Sequence, residues 1–238
     1  VTIDGNQVAL GAGALGLIPA VGYALALPVP PGDSELWLRV DCVDPMVLPL
    51  ELLSPAQLQQ RRQVTAYQYG LLYGFLLALC AYNLFLFAGL GERSYLSYAI
   101  YLVSYIGVNV CYTGHGSAWI WPDLPPLQRN VIPVMMVAFG GTGLLFAQRF
   151  LRLREASPQM DRRVSALVAF GAGVVAVSVL MGSHFAAVLW GFVFLGLVCI
   201  VMVALGVYAV QHGMPSARYF LGACLFDHVK PGMKIYQE

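Results

Sequence analysis

Three stretches of this chain, Gln63 to Gly91, Ser94 to Pro122 and Asn130 to Gln148, contain no Asp, Glu, Lys or Arg. A fourth, Val164 to Ala217, is uncharged over enough residues for two helices, and the "MGSH" at 181 to 184 is a natural hairpin between them. About 20 apolar residues suffice for a helix to cross a bilayer, and no other backbone form of this length satisfies its own polar groups there. Five full spans are therefore expected. With 59% hydrophobic and 11% charged residues the chain lies far from soluble domains, where about 25% of residues are charged. Another apolar run begins at "RYFLGACLF" but stops at Asp227, so it gives only a partial sixth span, and "DHVKPGMKIYQE" (227–238) is a polar, divergent tail.

Residues 1–53 follow a different grammar. Pro, Gly and Asp punctuate short segments such as "GYALALPV", "ELWLRV" and "MVLPLELL", several with the period-two alternation of strands. A helix from Gly5 to Gly32 is the rival reading, but Gly11, Gly13, Gly16, Pro19 and Gly22 all weaken one. The fold class is then a mainly α membrane protein: a helical transmembrane bundle (54–226) preceded by a partial β-sandwich fragment whose upstream half is missing. At Ser54 the strands give way to "SPAQ", with Ser at an N-cap, Pro at the first helical position and Gln57 three residues after the cap. No further Pro occurs before Gly91, so this helix is expected to run straight into the first span and to couple the strand region stiffly to the membrane.

Basic residues orient the bundle. With the strand region outside, the inward loops hold Arg93, Arg149, Arg152, Arg154, Arg162, Arg163 and Arg218, against Arg61, Arg62 and Arg129 outside. The inner basic loop from Arg149 to Arg163 is the most charged part of the molecule; it suits anionic lipid or a cytoplasmic module. The net charge of +1 gives no reason to expect nucleic acid. Of the five cysteines only Cys42 lies in a polar segment, so neither a disulfide nor a metal site is expected, and no cofactor is implied.

Inside the spans, Asn83 lies about 10 Å from the inner boundary and needs a partner, most simply one on another helix. Ser94, Tyr98, Tyr101, Tyr105 and Asn109 share one face of the second span, a candidate polar path through the bundle. Gly143 with Ala147, and Ala169 with Gly173, are small-residue pairs suited to close helix packing or to a homodimer. The "GHGSAWIWPDLPPLQRN" segment reads as an interfacial loop with solvated histidines. His115 and Ser117 offer a hydrolase dyad without a third partner, and His115 with His184 offers only two metal ligands. No catalytic constellation results. A small-solute transporter using the tyrosine face is the alternative function, and the absence of intramembrane ionisable residues from the five full spans counts against it.

The stretch "LLYGFLLALCAYNLFLFAGLGERSYLSYAIYLVSY", then "WIWPDLPPLQRN", "LLFAQRFLRLREASPQMDRR" and "MPSARYFLGA", resembles the bacterial seven-transmembrane receptors with diverse intracellular signalling modules, over Glu51 to Leu225. The upstream "YALALPVPPGDSELWLRVDCVDPMVLPLELLSPAQL" looks like the end of that family's extracytoplasmic jelly-roll domain. The resemblance implies a bacterial inner-membrane receptor, with a carbohydrate or other small-molecule ligand on the outer domain. It implies output through a cytoplasmic diguanylate cyclase, histidine kinase or phosphatase. Asn83 falls in the "YNLFLF" pattern that ends the first span, and "GERS" is the tight inner turn. Against the pattern, the early strands, the seventh helix and the output domain are missing, any secretion signal is expected upstream of Val1, and the tail reads as a shifted frame or truncated gene.

Overall fold

The computed structural model describes residues 2–3, 6–7, 15–18, 21–25, 36–37, 51–121 and 125–212. In the first part the described residues are short strands. β1 (Thr2–Ile3) pairs antiparallel with both β2 (Asn6–Gln7) and β5 (Leu36–Trp37), while β3 (Leu15–Ile18) and β4 (Gly22–Leu25) form a hairpin in which Leu15 faces Leu25 and Ile18 faces Gly22. Strands at these positions leave no room for the rival helix from Gly5 to Gly32. Most of the strand expected in "MVLPLELL" lies outside the described residues, and its last three, Glu51 to Leu53, are not strand. Most of the residues on which the sandwich expectation rests, and all of the partial sixth span and the 227–238 tail, lie outside the described residues as well.

The helices follow from local signals. α1 (Pro55–Leu90) is 36 residues long without a break, about 54 Å at 1.5 Å per residue. Its start is the expected capping box: the Gln57 N–H donates to Ser54 Oγ at 3.3 Å, and the Ser54 N–H donates to Gln57 Oε1 at 2.9 Å. Arg61, two turns in, pairs with Glu51 before the cap. The guanidinium holds the Glu51 carboxyl below the usual carboxylate range, by hydrogen bonding first and by charge second. Both groups are half exposed, so the pair fixes geometry more than it adds stability. α1 stops at Gly91, whose φ of +69° suits a residue without Cβ and lets its N–H reach Phe87 O at 2.9 Å.

α2 (Arg93–Tyr112) is shorter than the uncharged run that contains it. Thr113 and Gly114 end it, and a π-helical turn (Gly116–Ile120) follows where an interfacial loop was expected. α3 (Pro125–Phe150) begins before its expected span and carries a buried Pro133; α4 (Leu153–Ala156) and α5 (Pro158–Leu180) come next. Gly182, at φ +70°, makes the hairpin to α6 (His184–Gln211) where "MGSH" placed it. Among the described residues, five helices (α1, α2, α3, α5 and α6) are long and apolar enough to cross a membrane.

α3 is the central helix. It packs on α2 to one side and on α5 and α6 to the other, whereas α1 packs chiefly on α2. Two apolar clusters result. One joins Leu144 and Ala147 of α3 to Val175 of α5 and to Phe194, Val198 and Leu205 of α6; the other joins Leu76 and Cys80 of α1 to Ala99 and Leu102 of α2. Phe194, fully buried, lies between two glycines: a Cβ on Gly140 would meet its ring at 3.2 Å, and one on Gly171 at 2.3 Å. Of the small-residue pairs picked from spacing, Gly143 abuts the Tyr101 ring and Ala147 is fully buried. Ala169 and Gly173 instead face outward, and a Cβ on Gly173 would meet nothing within 4 Å, so that pair makes no contact inside the described bundle.

This difference is testable. Gly171→Ala forces Phe194 to move and is expected to cost about 1–3 kcal/mol, read as a lower Tm in detergent micelles. Gly173→Ala is expected to leave Tm unchanged or slightly raised, since the added methyl only restricts the unfolded chain. Equal effects of the two substitutions would contradict the Phe194 contact.

Candidate relay site

Polar side chains inside a bilayer first satisfy themselves on their own helix. Asn83, 6% exposed, donates Nδ2 to Leu79 O at 2.8 Å, Asn109 donates to Tyr105 O at 2.9 Å, and Ser104 donates to Ile100 O at 2.9 Å. Among the described residues the Asn83 side chain bonds its own backbone, the carbonyl four residues back, where a bond to another helix was expected. Several of the contacts between helices gather at two ends, joined by an aromatic face.

At one end, α1 meets the π-helical turn. Tyr69 and Tyr73 lie one turn apart on α1, with centroids 5.3 and 5.6 Å from the His115 ring, and Trp119 packs on the same ring at 4.8 Å. His115 is only 5% exposed, against the expectation of a solvated loop histidine. Its Nδ1 lies 2.5 Å from Thr113 Oγ1, which in turn lies 2.7 Å from Asn109 O and 3.4 Å from the Tyr73 hydroxyl. A carbonyl can only accept, so the single Thr113 proton goes to Asn109 O and the imidazole must donate from Nδ1. Burial pushes the His115 pKa down from its ordinary value, because the imidazolium would lose its hydration. Ser117 does not approach as a nucleophile: its hydroxyl donates to Gly114 O at 3.0 Å. Among the described residues no three metal-ligating side chains cluster.

Between the ends, the tyrosine face of α2 lies against phenylalanines of α3. Tyr98 packs at a tilt on Phe146 at 5.1 Å, Tyr101 stacks on Phe139 at 5.2 Å, and Tyr105 packs at a tilt on the same ring at 5.4 Å. Residues picked as a polar path therefore form an aromatic seam. Such ring pairs contribute about 0.5–1.5 kcal/mol each beyond area burial.

At the other end, the inner basic loop is mostly helix. α3 reaches Phe150, Arg152 takes a left-handed turn (φ 49°), and α5 starts at Pro158. Within it "FLRLRE" alternates, with Leu151 and Leu153 buried and Arg152 and Arg154 exposed. Arg149 donates from its guanidinium to Ser97 Oγ at 2.7 Å, tying α3 to the first turn of α2, and Arg152 lies 3.9 Å from Glu92 in the α1–α2 turn. Gln148, 6% exposed, donates to Asp161 O at 2.7 Å and to Ser165 Oγ at 3.0 Å, tying α3 to α5. Arg162 and Arg163 are exposed. Sequence reasoning did not single out Tyr69, Tyr73, Ser97 or Gln148. The two tyrosines did carry a signal, one-turn spacing on α1, and Gln148 is the polar end of an apolar run.

A family model described as 7TM diverse intracellular signalling matches residues 65–227, more than half of the chain. No curated protein and no solved structure matches it.

Two measurements probe the two ends. Because the folded-state pKa of His115 is depressed, its stabilising effect is complete above the ordinary imidazole value of 6.5. It is lost as pH falls through the folded value. Tm of the detergent-solubilised protein should therefore drop between neutral pH and about pH 5, and His115→Gln should remove part of that drop; an unchanged pH profile would rule out a buried neutral imidazole. At the other end, a double-mutant cycle of Ser97→Ala and Arg149→Gln should return a coupling of about 0.5–3 kcal/mol, while strict additivity would mean that the bond contributes nothing.

Proposed function

The chain belongs to the 7TM diverse intracellular signalling family, and from that premise we propose that this multi-pass membrane receptor relays the binding of an extracytoplasmic ligand through its helices to a cytoplasmic output. In this reading residues 1–53 are the C-terminal part of an outer jelly-roll-like domain facing the periplasm of a bacterial inner membrane. The ligand is a carbohydrate or related small molecule, and the output is a diguanylate cyclase, a histidine kinase or a similar module. The arginine distribution supports this orientation, with five arginines, Arg149, Arg152, Arg154, Arg162 and Arg163, from the end of α3 to the start of α5.

The observation that carries the reading is α1 itself. It runs unbroken from the Ser54–Gln57 cap, through the Tyr69, Tyr73 and His115 contact, to the Gly91 turn. A rigid helix of this length cannot absorb a displacement of its capped end by bending at a loop. It must rotate, tilt or slide against α2. A ligand then shifts the bundle by as much as its differential affinity for the two arrangements. The seam between α2 and α3 and the Arg149–Ser97 bond pass that shift to the end of the bundle bearing Arg154, Arg162 and Arg163.

Insertions after Gln60 test the lever in the full-length receptor with its own output module. Two added residues rotate the upstream part by about 200° relative to the joint, whereas seven return it to within about 20°. The ligand response of the output is expected to be lost with two and retained with seven. An identical response from both would remove α1 as the transmitting element.

A further inference from the structure

α5 meets the first half of α6 at Gly171. There Gly171 admits the Phe194 ring, and the Trp190 indole donates to Gly171 O at 3.3 Å. Towards the Pro158 end of α5 the two helices leave a groove between them, walled by Leu167, Val201 and Ala204, with Met160 and Arg163 at its mouth. Its floor is closed by Val164 and Leu205, only 5% and 3% exposed. Along α5 its lining runs from Met160 to Leu167, a rise of about 10 Å out of the roughly 15 Å of one leaflet's hydrocarbon. Among the described residues its lining is apolar apart from Arg163, which lies with Met160 at the Pro158 end of α5. Among the described residues no carboxylate makes an ion pair with Arg163, and Arg162 beside it adds a second positive charge.

We propose that this groove is a binding site for one anionic phospholipid, with an acyl chain along Val164, Leu167, Val201 and Leu205 and the phosphate on Arg163. A guanidinium presents parallel N–H donors that match a phosphate's oxygens, and it is less strongly hydrated than an ammonium, so it suits the edge of a bilayer. A zwitterionic head would bring its own cation against Arg162 and Arg163. A free phosphate would leave the apolar floor unused. The site is independent of the receptor reading, since it needs only a membrane-spanning bundle with this groove.

Native mass spectrometry of the delipidated protein, titrated with phosphatidylglycerol or with phosphatidylcholine of the same acyl chains, tests it. One phosphatidylglycerol is expected to be retained in preference by about fivefold, what one basic side chain contributes beside an anionic membrane surface. Arg163→Gln should abolish the preference, and Arg154→Gln, outside the groove, should preserve it. Ala204→Trp, which fills the groove, should abolish retention with Arg163 still present. Equal retention of the two lipids by the unaltered protein would overturn the proposal, as expected if the chain's own residues beyond 211 filled the groove. So would equal losses from Arg163→Gln and Arg154→Gln, two exposed positions at which neither change threatens folding.

Discussion

Lipid tails are as apolar as leucine, so burying one membrane helix against another gains little by hydrophobic transfer, and the bundle must be held by close contact. Here that contact centres on Phe194, seated between Gly140 of α3 and Gly171 of α5. A phenylalanine filling the space of two absent side chains brings three helices within dispersion range at one point. The fully buried Leu144, Ala147 and Ala209 belong to the same cluster. α6 makes a second close approach to α3 at Gly191, where an added Cβ would lie 3.7 Å from Pro133 Cα. The position of α3 as the central helix depends on these contacts, and with it the surface on which α2, and through it α1, is seated.

Polar groups divide the labour differently. Asn83, Ser104, Asn109, Thr142 and Ser178 each bond a carbonyl three or four residues back, leaving the middle of the bundle held chiefly by shape and by rings. Several bonds between helices occur near the ends, at Thr113 with Tyr73, at Ser97 with Arg149, and at Gln148 with Ser165, while Trp190 with Gly171 O and the weak Cys80 thiol with Ala99 O lie further in. Directional bonds resist sliding, whereas ring contacts tolerate it. A molecule pinned by polar contacts at two levels and lubricated between them can carry a displacement from one level to the other.

Much of this was legible in the sequence, for reasons that can be named. Charge marks where the membrane begins and ends, so five spans and the Gly182 hairpin could be placed, and the "SPAQ" cap is a local signal that needs no tertiary information. Charge does not mark where a helix ends, which is why the uncharged run from Ser94 to Pro122 concealed the stop at Thr113 and the π-helical turn beyond it. Spacing likewise identifies a face without its partner. It grouped Tyr98, Tyr101 and Tyr105, but only the position of α3 turns them into an aromatic seam on Phe139 and Phe146. It paired Ala169 with Gly173 and passed over Gly171, because the residue that demands a glycine at 171 is Phe194, on the next helix. The burial of His115 depends on the register between α1 and α2, which no local pattern encodes.

The order of packing limits how a signal can travel. Among the described residues α1 rests chiefly on α2, and α2 on α3, so in the proposed relay a movement entering at Ser54 reaches α5 and α6 mainly through two successive interfaces. The first is fixed by His115, which α1 grips with two rings while Thr113 holds it to the end of α2. The second is fixed by Arg149, whose bond to Ser97 lies near the first turn of the same helix. α2 is therefore held at opposite ends by different neighbours, α1 at one and α3 at the other. A helix gripped in that way converts a shift at one end into a rotation or tilt about the other, and the smooth ring contacts of Tyr98, Tyr101 and Tyr105 are the surface on which that rotation can occur. Stiffness in α1 and slip along α2 are complementary requirements of the proposed relay, and the unbroken α1 and the ring contacts of α2 are in keeping with both.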